Sequence, residues 1–170
     1  MAVLPLLLAP PRAWWVASLS PDARIGLLET FPKQTFRNRI RIQQRNGVLL
    51  DISLPIVHDA GRTTANVRLE KSGWERSLWR SLTAAYAYTP FWDVLSPELE
   101  PLLCDVPDEL FIYSQRIQHW MAWQWGGALP VVDDSKTPER DFSPKKGETS
   151  GAGGLTLLHE LFIHGPALYL

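Results

Sequence analysis

The sequence predicts an α/β or α+β fold, with a small mixed sheet that is covered by helices from the C-terminal half of the chain. Short apolar or alternating segments fill the first part of the sequence, and apolar residues recur at helical spacing in the later part. The chain has 170 residues, of which 45% are hydrophobic and 21% charged. This composition is typical of a folded globular protein, and we expect one domain over residues 1–170.

The first segments predict a strand, a helix and a second strand. "VLPLLL" is typical of a short buried strand, and Pro11 suits the first position of a helix over "PRAWWVASL" that ends near Ser20-Pro21. "ARIGLLE" is ambiguous, because Ile25 and Leu27 alternate as in a strand while Leu28 suits a helix. We interpret it as a strand, and the crossover would be right-handed if the two strands pair in parallel.

A β-hairpin over residues 39–57 is the clearest local signal. "RIRIQQR" and "VLLDISLPIV" flank Asn46-Gly47, a pair that tolerates the positive φ angles of a tight turn. With a period of two, Phe36, Asn38, Ile40 and Ile42 should share one face.

After the hairpin, "NVRLE" predicts a short strand with Val67 and Leu69 on one face. Ser72 and Glu75 have the spacing of a capping box, which predicts a helix over "WERSLWRSLTAAY" that ends at Thr89-Pro90.

Two further helices and one loop complete the prediction. Ser96-Pro97-Glu98 signals a helix start, and a third helix should run from about Asp108 to Gly126-Gly127. Residues 133–154 are polar and rich in Gly, Pro and Ser, which predicts a flexible loop. The closing "LTLLHELFIHGPALYL" regains helical spacing, so a final helix should dock on the core.

The segment "KQTFRNRIRIQQRNG" concentrates positive charge, with five basic residues and no acid in a chain of net charge −1. Arg37, Arg39 and Arg41 should share one face of the first hairpin strand. Such a stripe is either a solvated edge that discourages strand pairing or an anion site, since guanidinium groups bind phosphate and carboxylate with paired hydrogen bonds. The candidate anion-binding residues are Lys33, Arg37, Asn38, Arg39 and Arg41.

Two expectations follow from this alternation. Because the arginine side should carry only polar groups, replacing Arg37 and Arg39 with glutamine should weaken anion binding and leave stability almost unchanged. Asn38 falls on the apolar face, so its amide should be hydrogen-bonded either to the backbone or to a ligand.

Other residue types give no catalytic assignment. The histidines lack metal-ligand spacing and no glycine-rich phosphate loop occurs, so no metal or cofactor is predicted. His58 is a weak candidate for a general base, and Cys104 is more typical of a buried, inert thiol than of a nucleophile. The eight tryptophans suit the core better than a stacking site, particularly those at predicted helix positions: Trp14, Trp74, Trp79, Trp120 and Trp123.

The chain contains no apolar run of the length needed to span a membrane, and its opening lacks the basic start of a signal peptide. A single cysteine excludes an internal disulfide, which fits a reducing compartment. We therefore expect a cytoplasmic protein.

Three blocks resemble the WbqC-like protein family, in order along the chain: "TFPKQTFRNRIRI…NGVLLDISLPIV", "WERSLWRSLTAAYAYTPFWDVL" and "LTLLHELFIHGPALYL". The positions that match the family pattern are Lys33, Arg37, Asn38, Arg39, Trp74, Trp79, Tyr86, Pro90, Phe91 and Gly165-Pro166. Leu78, His159 and His164 depart from it.

The resemblance implies a role in bacterial surface-polysaccharide biosynthesis, since some family members are found in O-antigen gene clusters and glycine transfer is proposed for one branch. We expect a transferase that moves glycine or another small acyl group onto an activated sugar. Its partner would be a phosphate-bearing nucleotide-sugar, lipid carrier or charged tRNA. The alternative is a non-catalytic anion-binding or assembly module, which an open basic face would favour over a closed pocket.

Overall fold

The computed structural model describes residues 2–57, 62–143 and 154–167 and confirms the α/β class. The strands are β1 (Val3–Pro5), β2 (Arg24–Gly26), β3 (Arg39–Gln43), β4 (Leu49–Ser53) and β5 (Val131–Asp133). The helices are α1 (Arg12–Ser18), α2 (Trp74–Tyr86), α3 (Trp92–Cys104), α4 (Leu110–Trp125) and α5 (Leu157–His164), with a 3-10 turn at Thr64–Asn66.

A three-stranded parallel sheet has the order β1-β2-β5. Ile25 in the central strand pairs with Leu4 on one side and Val132 on the other, so the interpretation of "ARIGLLE" as a strand is confirmed. The third strand was missed, because its three residues directly precede the polar segment that dominates the local composition. Gly26 is required here, since a Cβ at this position would lie 2.6 Å from the carbonyl oxygen of Lys136.

The hairpin is confirmed and forms a two-stranded sheet of its own, with Ile42 opposite Leu50. Its turn differs from the expected one. Gly47 has a φ of +84° and donates its N–H to the carbonyl of Gln44 at 2.9 Å, whereas Asn46 keeps a negative φ. The loop is therefore a three-residue connection that needs one left-handed residue rather than two.

The outer edge of β3 is covered by two other parts of the chain. The backbone N–H of Thr156, at the start of α5, donates to the carbonyl of Arg41 at 3.0 Å. The N–H of Gln43 donates to the hydroxyl of Tyr86, at the end of α2, at 3.2 Å. These contacts satisfy backbone groups that an exposed edge strand would present for aggregation.

The helix predicted over "WERSLWRSLTAAY" is confirmed as α2, but its predicted capping box is wrong: Gly73 occupies the N-cap with a φ of +78°, and Ser72 does not cap the helix. The predicted start of the next helix is also wrong. The next helix begins at Trp92, and Pro97 lies inside it. The cause is burial, because Trp92, Leu95, Leu99 and Leu103 form one buried face whose packing outweighs the backbone hydrogen bond that proline removes.

Two other predicted segments differ from the structure. Val67 and Leu69 are both buried as the alternation predicts, but their segment makes isolated bridges, Ile56 to Leu69 and Arg68 to Glu109, and forms no strand. Of the predicted loop at 133–154, residues 134–143 contain neither helix nor strand, and residues 144–153 lie outside the described part of the chain.

A continuous cluster of buried side chains includes members from all five helices and from β1, β2 and β3. The docking of the final helix is confirmed by Leu157, Leu158, Leu161 and Phe162, which are all buried. The tryptophan prediction holds for Trp14 and Trp120 but is wrong for Trp123, which is 78% exposed. Within the described residues, no helix combines the length and apolarity needed to cross a bilayer.

Candidate functional site

Arg37 lies at the centre of a buried ion-pair network. Its Nε and Nη2 donate to the two carboxylate oxygens of Glu29 at 3.1 and 3.2 Å, and its Nη1 donates to Asp141 at 2.7 Å. Its side chain is 4% exposed, against 14% for Glu29 and 50% for Asp141. Glu29 also accepts a hydrogen bond from the hydroxyl of Thr64 at 3.0 Å. The network therefore connects the segment of Arg37 with the segments that carry Glu29, Thr64 and Asp141.

The expectation that Arg37 is solvent-exposed was therefore wrong. The strand begins only at Arg39, and Gln34 takes a left-handed conformation with a φ of +60°, so residues 33–38 form turns. A period of two does not apply to a turn, and the side chain of Arg37 consequently points into the protein.

Arg41 is likewise buried, and it pairs across the hairpin with Asp51. The two residues are opposite each other in the β3–β4 register, with Nε to Oδ1 at 2.7 Å and Nη2 to Oδ2 at 2.8 Å. The Arg41 guanidinium also lies 5.7 Å from the centroid of the Phe36 ring. This paired geometry gives the hairpin a defined register as well as a compensated charge.

The remaining motif residues have different surroundings. The amide nitrogen of Asn38 donates to the carbonyl of Leu54 at 2.8 Å, which is the backbone bond expected of an amide on the apolar face. Arg39 is half-buried and donates to the hydroxyl of Ser53 at 2.9 Å, while Lys33 is exposed. Anion binding by Lys33, Arg37, Asn38, Arg39 and Arg41 stays a prediction, although ion pairs already occupy two of the arginines.

A groove of about 440 Å³ lies between the tip of the hairpin and α2, and we call it the hairpin groove. Arg45 from the turn and Arg80 from α2 line it, together with the polar residues Gln44, Asn46 and Ser81. Leu50, Ala84 and Ala85 supply its apolar surface. Asn46 uses its side-chain oxygen to accept from the N–H of Val48 at 3.0 Å, so its amide N–H₂ group remains a donor.

Neither arginine of the hairpin groove pairs with a carboxylate within the described residues. The guanidinium of Arg45 lies 5.2 Å from the centroid of the Tyr88 ring, a cation–π contact that leaves its N–H donors available. Arg80 makes long hydrogen bonds within its own helix, to the carbonyl of Arg76 at 3.3 Å and to the hydroxyl of Ser77 at 3.4 Å. Within the part of the chain that the structure describes, the groove thus holds two exposed arginines that form no ion pair.

A hydrogen-bonded chain links β3, α2 and α5 beside this groove. The hydroxyl of Tyr86 accepts from the backbone N–H of Gln43 and lies 3.3 Å from Nδ1 of His159. The direction of this second contact follows the tautomer of His159: the hydroxyl donates to an unprotonated Nδ1 and accepts from a protonated one. Burial raises the pKa of Tyr86 to about 12, and burial lowers the pKa of His159.

Other candidate groups give no activated centre. Cys104 is exposed, so the expectation of a buried thiol was wrong. Partial burial and the carboxylates of Glu100 and Glu75 raise the pKa of this thiol, which disfavours the nucleophilic thiolate. His58 lies outside the described residues, and the described residues contain no group of three or more His, Cys, Asp and Glu side chains arranged to hold a metal ion.

Comparison with protein families matches the model of the WbqC-like protein family to residues 28–143 of the 170-residue chain. The chain belongs to the WbqC-like protein family. A search of curated proteins finds no match to this WbqC-like protein, and a search of solved structures also finds none.

The family match covers the first two blocks of the resemblance, while the closing block, from residue 155 onward, lies beyond it. That block still contacts a matched position. A Cβ on Gly165 would lie 2.6 Å from the ring of Phe91, so the two residues are in direct contact in this WbqC-like protein.

The sequence interpretation missed Arg80 and gave Arg45 no role. Arg45 belongs to the basic segment, but it lies beyond the residues assigned to the stripe. Arg80 is one of two arginines in α2 and could not be paired with Arg45, because nothing in the sequence shows that the hairpin turn packs against this helix. One signal in the sequence could have pointed to Arg45. The hairpin turn around it contains no carboxylate between residues 43 and 50 that could pair with its charge.

Proposed function

We propose that this WbqC-like protein acts in the assembly of a bacterial surface polysaccharide as a transferase of glycine or another small acyl group, with an activated sugar as acceptor. Family membership supports the biosynthetic role. The hairpin groove supports the choice of a phosphate-bearing substrate, because its two arginines lack carboxylate partners among the described residues.

The chemistry of the groove suits phosphate. An arginine binds phosphate oxygens through two parallel N–H donors, and two neighbouring arginines sum their attraction for a diphosphate. The amide of Asn46 supplies a further donor, while Leu50, Ala84 and Ala85 offer a surface for a less polar part of the ligand. A volume of about 440 Å³ falls within the range of small-molecule sites. Among the predicted partners, a nucleotide-sugar therefore suits the groove better than a whole tRNA.

Calorimetric titration with uridine diphosphate-glucose tests whether the hairpin groove binds a nucleotide-sugar. Replacing both Arg45 and Arg80 with glutamine should weaken binding at least tenfold, because each lost charge-assisted hydrogen bond is worth about 1.5–3 kcal/mol. The matched control replaces Arg12 and Arg68, two exposed arginines outside the groove, and changes the net charge equally. Equal losses in the two variants would mean that overall charge, not the groove, attracts the ligand.

A mass measurement of the sugar product distinguishes the transferase from the alternative, a non-catalytic anion-binding module. The protein is incubated with the nucleotide-sugar and with glycyl-tRNA as donor, and the sugar is analysed for one added glycyl group. Transfer that disappears in the double glutamine variant supports the enzyme. Groove-dependent binding without transfer from glycyl-tRNA, or from acetyl-coenzyme A as a second donor, would favour the module.

A further inference from the structure

A second cavity, of about 630 Å³, lies between α2 and α3, and we call it the α2–α3 cavity. Four residues of α2 and two of α3 form its lining, and they include charged side chains of both signs beside an aromatic ring. The lining residues are Glu75, Arg76, Trp79 and Arg80 of α2 and Glu100 and Cys104 of α3. This cavity shares Arg80 with the hairpin groove, so the two cavities are neighbours along α2.

The charged groups of the α2–α3 cavity do not bind one another. Among the described residues, the side chains of Glu75, Arg76 and Glu100 form no ion pair and no hydrogen bond. Close by in the chain, opposite charges on different segments do pair, as Lys71 does with Asp108. The carboxylate oxygens and the guanidinium N–H groups of the cavity therefore keep their hydrogen-bonding capacity for a ligand.

These charges converge on the thiol of Cys104. Partial burial raises the pKa of this thiol, the carboxylates of Glu100 and Glu75 raise it further, and the guanidinium of Arg76 lowers it. The three charged groups come from two helices and act on the same atom, so they face a common space. The raised pKa also keeps the thiol neutral, so Cys104 adds no charge to the lining.

Trp79 gives the cavity an apolar surface of fixed orientation. Its ring stacks on the ring of Trp92, with centroids 5.3 Å apart and an angle of 27° between the planes. Trp92 is itself buried, which fixes the position of this stack. A ligand can therefore pack an uncharged group against Trp79 while its charged groups meet the charged side chains.

The balance of charge in the lining indicates the charge of the ligand. Two carboxylates and two guanidinium groups sum to a formal charge of zero. A simple anion bound to Arg76 would share the cavity with two carboxylates, and a simple cation bound to Glu75 and Glu100 would share it with two arginines. A molecule with one positive and one negative group instead meets an opposite charge at each end.

We infer that the α2–α3 cavity binds an α-amino acid in its zwitterionic form. The ammonium group, which has three N–H donors, binds the carboxylates of Glu75 and Glu100. The α-carboxylate accepts two parallel hydrogen bonds from Arg76, and an uncharged side chain packs against Trp79. This site goes beyond the proposed transfer reaction and does not rest on it, because it needs neither a phosphate nor the hairpin groove.

Three probes with the same side chain separate the two charges in a ¹⁵N-resolved NMR titration that follows the Nε–H of Arg76 and the indole N–H of Trp79. Leucine carries both charges, leucinamide carries only the ammonium group, and N-acetylleucine carries only the carboxylate. We expect leucine to bind at least about tenfold more tightly than either analogue, because each analogue lacks the charge-assisted hydrogen bonds of one end. Leucine that binds no more tightly than an analogue, or unmoved signals up to the solubility limit of leucine, would overturn the inference.

Two variants assign the ends of the ligand. Arg76→Gln should weaken leucine binding at least about tenfold and leave the weak binding of leucinamide unchanged, since leucinamide has no carboxylate. Glu100→Gln should weaken the binding of leucine and leucinamide and leave N-acetylleucine unchanged. Both positions are exposed, so the variants should fold as the wild type does. Arg12→Gln, at an exposed position of α1, is the matched control and should change no affinity. Unchanged leucine affinity in Arg76→Gln and Glu100→Gln, or an equal loss in Arg12→Gln, would refute the assignment of this cavity.

Discussion

Replacing Arg37 with glutamine should destabilise the fold more than replacing any other arginine of the basic segment. Arg37 is the most buried arginine of that segment and holds both oxygens of Glu29 in a two-bond geometry. Glutamine removes the charge, and Glu29, which is 14% exposed, is then left with the hydroxyl of Thr64 as its only side-chain donor among the described residues.

The magnitude follows from the burial of each partner. Breaking a buried ion pair by removing one partner costs about 3–5 kcal/mol, because the remaining charge is uncompensated. The ion pair between Arg37 and Asp141 adds little to this cost, because the Asp141 side chain is 50% exposed and exposed ion pairs contribute about 0–1 kcal/mol. A loss of about 3–5 kcal/mol is a large fraction of the 5–15 kcal/mol that stabilises a typical domain.

Urea denaturation followed by tryptophan fluorescence measures this loss. The matched control is Arg39→Gln. The side chain of Arg39 is half-buried and, among the described residues, bonds only to Ser53, so this variant should change the free energy of unfolding by about 0.5 kcal/mol. A further variant, Asp141→Asn, should cost less than about 1 kcal/mol. If Arg37→Gln were as stable as Arg39→Gln, the buried network would not contribute to stability and our explanation of the motif would be refuted.

Three other predictions test local features of the structure. Gly165→Ala should destabilise the protein by about 2–5 kcal/mol, because the new side chain meets both a φ of +89° and a clash with the ring of Phe91. Gly47→Ala, at a φ of +84° with open space around it, should cost about 1–2 kcal/mol. Equal melting temperatures for the two variants would contradict this. Tyr86→Phe leaves a backbone N–H of β3 without its acceptor and should cost about 1–3 kcal/mol by urea denaturation; no loss would show that this bond is dispensable. Burial lowers the pKa of His159 below its ordinary 6.5, so the unfolded chain binds the proton more tightly than the folded one. The free energy of unfolding should therefore decrease as pH falls below about 6.5. His159→Asn should flatten this pH dependence, and an unchanged slope would refute the role of His159.

The sequence predicted elements whose signals are local. The hairpin turn at Gly47, the spacing of buried residues in α4 and the glycine that ends that helix are short-range features, and each predicted its element. The start of α3 was wrong because a buried face of leucines outweighs the helix-breaking tendency of Pro97, which is a tertiary effect.

The arginines show why the candidate site was harder to predict. The alternation rule holds for Arg39 and Arg41, which lie in β3, and fails at Arg37, which precedes the strand. Even within the strand, the rule cannot show that Asp51 lies opposite Arg41 unless the register is known. Glu29 precedes Arg37 by eight residues and Asp141 follows it by 104, and both reach it only through the fold. The sequence therefore could not distinguish a buried ion pair from a free cation.

The most direct test of our central claim is an NMR titration of the arginine side-chain N–H signals with inorganic pyrophosphate. We expect saturable shifts of the Nε–H signals of Arg45 and Arg80 that weaken as salt is added, and an unshifted, slowly exchanging signal from Arg37. The opposite pattern, with Arg37 and Arg41 responding while Arg45 and Arg80 do not, would place anion binding at the family motif and contradict the assignment of the hairpin groove.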